Sequence, residues 1–99
     1  MSDAAEQLTR IEQNMEHFSA QKRGFQQTLL EVEAALAELE NDPETYKIIG
    51  NLMIKRSSEK TKKELNERKE TLQVRIKSIE KQEEKLRTKM KELQQKIAK

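Results

Sequence analysis

The sequence predicts a mainly α protein: a long antiparallel coiled-coil hairpin with one central β-hairpin that joins a barrel shared between subunits. Three observations carry that reading. Apolar residues recur at alternating steps of three and four along both halves of the chain. A short apolar run, ETYKIIGNLMIKRSS at positions 44–58, interrupts them at the midpoint. The two halves carry opposite charge. Composition agrees with this. Of 99 residues 38% are charged and only 33% hydrophobic, where a compact domain needs about 45–50% apolar residues to fill a core. Disorder is disfavoured by one Pro, two Gly and a net charge of just +2. A surplus of Glu, Lys, Gln, Leu and Arg suits long helices.

The first helix is expected over about residues 4–41. Alternating steps of three and four from Leu8 reach Ile11, Met15, Phe18, Lys22, Phe25, Leu29, Val32, Leu36 and Leu39, with Lys22 alone polar. A seam sustained over more than four heptads is the signature of a coiled coil. Asn41, Asp42 and Pro43 close the helix. Pro43 has no amide to donate and pushes Asp42 out of helical geometry. Gly24 lies off the seam and reads as a tolerated surface glycine that costs about 1 kcal/mol relative to Ala.

A linker over 42–45 leads into a β-hairpin over 46–56. Tyr46–Ile49 and Leu52–Lys55 are short β-forming runs on either side of Gly50-Asn51, the signal of a two-residue type II′ turn in which Gly50 takes positive φ. That turn pairs Ile49 with Leu52, Ile48 with Met53, Lys47 with Ile54 and Tyr46 with Lys55. One face then carries Ile49, Leu52 and Ile54, and the other Tyr46, Ile48 and Met53. Both are apolar. A lone ribbon is marginal in water and its edges invite further strands. The economical solution is a closed barrel assembled from the hairpins of several subunits. The alternative is a hairpin folded down as a cap on its own helix ends. Residues Tyr46, Ile48, Ile49, Gly50, Leu52, Met53 and Ile54 are therefore the expected oligomerisation surface.

The second helix is expected over about residues 58–98, capped at its start by Ser57 or Ser58. Its seam runs through Leu65, Lys69, Leu72, Ile76, Ile79, Glu83, Leu86, Met90, Leu93 and Ile97, with Lys69 and Glu83 polar. Each helix is roughly 50–60 Å long at the α-helical rise. Residues 1–42 carry nine acidic and three basic side chains, a net of −6; residues 43–99 carry nine acidic and seventeen basic, a net of +8. Opposite charge and a short connection favour folding back, although each exposed pair contributes only ~0–1 kcal/mol. The registers that align the two seams bring Lys22 and Glu83 into neighbouring layers, so the two are expected to meet and to specify register.

The stretch TYKIIGNLMIKRSSEKTKKELNERKETLQVRIKSIEKQEEKL, positions 45–86, resembles a β-class subunit of the prefoldin family. Its YK-x-x-G-x-L-x-x-K core and the later K-x-x-L, ETL and QEEKL runs are the matching parts, and the heptads extend the similarity over nearly the whole chain. The single short insert fits the β class, since α-class subunits have two hairpins. The resemblance implies a hexamer of two α-class and four β-class chains whose hairpins join into two β-barrels, with six coiled coils hanging from them. It implies an ATP-independent holdase that captures unfolded proteins and delivers them to a group II chaperonin. One departure is the short tail, which ends at Lys99 just beyond the last heptad. Leu8, Ile11, Met15, Met90, Leu93 and Ile97 lie on the seam where the termini meet, and they are the expected client-binding residues. A fraying hairpin end offers such side chains, and flexible Met suits irregular partners.

Other function classes fare worse. There is no Cys, so Cys-based metal sites and nucleophiles are excluded. Catalysis needs preorganised groups in a water-excluded site, and two slender helices with a ribbon provide no cleft; no catalytic, cofactor-binding or metal residue is expected. The single histidine, His17, falls at an outward heptad position. Lys-rich stretches at 55–69 and 75–99 suggest nucleic acid, but interleaved Glu and the lack of an aromatic platform argue against it. No apolar run approaches the ~20 residues of a membrane span and no signal peptide is visible, so the cytoplasm is the default. The remaining rival is a structural coiled-coil spacer that binds no client.

Overall fold

A computed structural model of the chain describes residues 3–41 and 43–98. The expectations for Asp42 and Lys99 fall outside these residues. The order is α1 (Asp3–Leu39), β1 (Thr45–Ile49), β2 (Leu52–Arg56) and α2 (Ser58–Ala98). The chain divides into two compact units, one comprising the described residues of Met1–Phe25 and Arg75–Lys99, the other Gln26–Val74.

Helix α1 stops two residues short of the expected end. The amides of Glu40 and Asn41 donate to the carbonyls of Ala37 and Glu38, each at 3.3 Å, and these tighter i→i+3 bonds close the last turn. At the start of α2 the cap is Ser57, whose Oγ accepts from the Lys60 amide at 3.3 Å.

Every seam position of α1, from Leu8 to Leu39, is buried or half-buried, and so is every seam position of α2 from Leu65 to Leu93. Within each unit the core is thus a narrow line of seam side chains, as the 3.5-residue repeat dictates. In the terminal unit Lys22 and Glu83 meet within it, Nζ to Oε1 at 2.7 Å. The expected register pair is formed. Close by, the guanidinium of Arg75 stands 5.7 Å from the Phe25 ring centroid, within reach of a cation–π interaction.

In the other unit β1 and β2 pair antiparallel with the expected register: Tyr46 with Lys55, Lys47 with Ile54, Ile48 with Met53 and Ile49 with Leu52, extended by Thr45 with Arg56. Gly50 has φ of 58°, the left-handed value that a tight hairpin turn requires and that glycine adopts freely. The base of the hairpin is tied to α2 by hydroxyls. Thr45 donates to the Arg56 carbonyl. The Thr61 hydroxyl lies 3.2 Å from that of Thr45 and 3.0 Å from the Ser57 carbonyl.

Candidate functional site

The hairpin does not fold down as a cap. Ile48 is 69% exposed, Leu52 66% and Met53 65%, and Tyr46, Ile49 and Ile54 are exposed as well. Because partners across the ladder share a face, these side chains form two apolar faces. One carries Ile49, Leu52 and Ile54, with Lys47 beside Ile54; the other carries Tyr46, Ile48 and Met53, with Lys55 beside Tyr46. At the edge of the second face the Tyr46 hydroxyl donates to Glu44 Oε2 at 2.7 Å. Lys55 Nζ stands 3.7 Å from the other carboxylate oxygen. The hydrogen bond to Glu44, and secondarily desolvation, raises the Tyr46 pKa above its ordinary 10.0.

The six expected client residues fall in the terminal unit. Counting outward from the Lys22–Glu83 pair, seven residues along each antiparallel helix bring Met15 level with Met90, and seven more bring Leu8 level with Ile97. Their environments differ. Leu93, at 2%, and Ile11 are buried, Leu8, Met15 and Met90 are half-buried, and Ile97 is 48% exposed.

The sequence reading passed over a basic notch where the hairpin meets α2. Lys47, Lys55, Arg56, Ser57 and Lys60 surround Ile49 and Ile54 in an open concavity. Arg56 is held by Glu64, while its Nε is buried with no acceptor among the described residues. Alternation along the strand, which sets Lys47, Ile49, Ile54 and Arg56 on one face, was the available signal. Also unforeseen are Leu30 on α1 and Val74 on α2, both exposed off the seam.

His17 is exposed, its ring tilted 6.3 Å from that of Phe18. Among the described residues no three His, Cys, Asp or Glu side chains gather as metal ligands, and no helix is long and apolar enough to cross a membrane.

Comparison with known proteins gives one consistent outcome. The family described as Prefoldin subunit matches residues 2–99. Prefoldin subunit beta of Archaeoglobus fulgidus is 42% identical over 94 residues, which span 92% of this chain and 81% of that protein. The protein of the same name from Pyrococcus abyssi is 40% identical over 94 residues, 92% and 80% of the two chains. Among solved structures, the prefoldin beta subunit from Thermococcus strain KS-1 superposes with a TM-score of 0.88 at 38% identity, covering 95% of this chain and 85% of that one.

Proposed function

Since this chain belongs to the prefoldin subunit family and is similar to its β subunits, we propose that it is one arm of an ATP-independent holdase. In this reading the chain is one of four β-class copies that join two α-class copies through their hairpins. The free ends of the coiled coils capture unfolded proteins in the cytoplasm and deliver them to a group II chaperonin. The observation that carries it is the hairpin, whose two faces are apolar and exposed together. A contiguous apolar patch rimmed by polar residues marks an interaction surface, and a closed barrel would bury one face of every hairpin and remove its edges.

In this reading Ile97, Leu8, Met15 and Met90 of the terminal unit offer the client a small apolar surface with two adaptable thioethers. Ile11 and Leu93 join it when the last heptad opens. Grip comes from several arms together, because tethering raises the effective concentration of each weak contact. The burial of Ile11 and Leu93 favours the rival reading, a spacer whose seam stays shut.

Mass and suppression of client aggregation, measured with and without an added α-class subunit, test the proposal. A defined larger assembly that holds denatured protein supports it. A stable assembly with no effect on aggregation leaves only the spacer. Removing the outer heptads tests the client surface itself: undiminished suppression would exclude Leu8, Ile11, Met15, Met90, Leu93 and Ile97 from it.

A further inference from the structure

The geometry points to a second docking contact between copies of this chain: the outward stripe of α1 in one copy, Leu30, Ala34 and Ala37 flanked by Glu33 and Glu38, seats on the basic notch of the next. The inference rests on the hairpin-mediated assembly proposed above and names what covers the hairpin face that a barrel leaves bare.

A barrel interior takes only one face of each hairpin. The face with Tyr46, Ile48 and Met53 suits it, since Lys55, which the ladder sets at its edge and which also lines the notch, has Glu44 as partner. The opposite face does not. There Lys47 lies beside Ile54, with Arg56 and Lys60 alongside, and neither Lys47 nor Lys60 has an ion pair among the described residues. Burying those ammonium groups unpaired would be strongly unfavourable. This face therefore looks outward, still bearing Ile49, Leu52 and Ile54.

Helix α1 carries the complement. Leu30, Ala34 and Ala37 recur at i, i+4 and i+7, and all are exposed. They share one side of the helix, away from the seam. Leu30 is 68% exposed, while the two alanines let another backbone come close. Glu33 and Glu38 flank the stripe, also exposed and without an ion pair among the described residues. Glu38 sits in the last turn of α1, which contains no basic residue, so its carboxylate faces the negative end of the helix dipole. Lysines from a neighbour relieve that repulsion. The sizes agree as well: from Leu30 to Glu38 the helix rises about 12 Å, and a five-residue strand spans about 16 Å.

The test compares a notch variant, K47E/K60E, with a stripe variant, E33K/E38K, by sedimentation of the full chain alone and with an added α-class subunit. All four positions are exposed, so helix content by circular dichroism should match the parent. Each variant alone is expected to associate roughly tenfold more weakly, and added salt, which weakens the parent's contact, should strengthen the variant's by screening its like charges. An equimolar mixture of the two should recover association, because reversed notch then meets reversed stripe. Unchanged association in both variants overturns the contact, and so does a mixture no tighter than its components. A third variant, I48E/M53E, separates this failure from that of the underlying assembly. If it abolishes association while the charge reversals do nothing, the hairpin interface stands and the notch contact falls. A parent chain that stays monomeric under both conditions removes both.

Discussion

Lys22 and Glu83 interrupt an apolar seam, and their unequal burial sets what each contributes. The Glu83 side chain is 8% exposed and that of Lys22 24%. Lys22→Leu strands a carboxylate in the seam and should cost about 3 kcal/mol. Glu83→Leu should cost only about 1 kcal/mol, because the lysine stem can carry its ammonium group to water. The double replacement, apolar on both sides, is expected to be at least as stable as the parent but freer to slip in register. Thermal unfolding at matched chain concentration checks the order. Tyr46 offers a second test at this scale, as the only tyrosine in the chain. Its hydroxyl donates to Glu44 only while protonated, so the bond is complete below the ordinary pKa of 10.0 and is lost as pH rises through the raised folded value. Ultraviolet titration of tyrosinate should therefore give a midpoint above 10.0 in the parent and a lower one in Glu44→Gln.

At the scale of elements, the two glycines have opposite consequences. Gly24 lies inside α1 with nothing within 4 Å of an added Cβ. Gly24→Ala should stabilise the helix by roughly 1 kcal/mol, the difference in intrinsic propensity. Gly50 also has open space around it, but its φ of +58° is left-handed. Gly50→Ala should destabilise the hairpin by about 1 kcal/mol through backbone strain alone. Unfolding of the two variants in urea should thus move in opposite directions. If Gly50→Ala were neutral, the turn would have another conformation within easy reach.

For the molecule as a whole, stability and assembly are linked, since anything that binds only the folded chain raises its apparent stability by mass action. Met53→Glu places a charge at the centre of the Tyr46, Ile48 and Met53 face. It is expected to abolish association, to lower the unfolding temperature and to remove its dependence on concentration, while leaving helix content intact. Sedimentation and circular dichroism check the two halves of that expectation. Unaltered mass would mean that this face is not the one that meets other chains. The charge imbalance between α1 and α2 acts at the same scale. It favours the folded-back pairing and adds the salt sensitivity of screened surface charge.

By itself the sequence determined everything that depends on local period. The two seams were legible because a 3.5-residue repeat can bury only one stripe of each helix. The hairpin register followed from Gly50, since a two-residue turn leaves its flanking strands one pairing. Lys22 and Glu83 could be matched because so few polar residues interrupt the seams. Only the tertiary structure decided how fully each seam residue is covered. Leu93 and Ile97 are both apolar members of one α2 seam, yet the first is buried and the second half exposed. It also completed the notch: strand alternation sets Lys47 and Arg56 on one face, but Lys60 joins them only where the hairpin turns back beside α2. Periodicity says which side of an element is apolar. What packs against that side is a property of surfaces meeting in space, and residue spacing along the chain does not encode it.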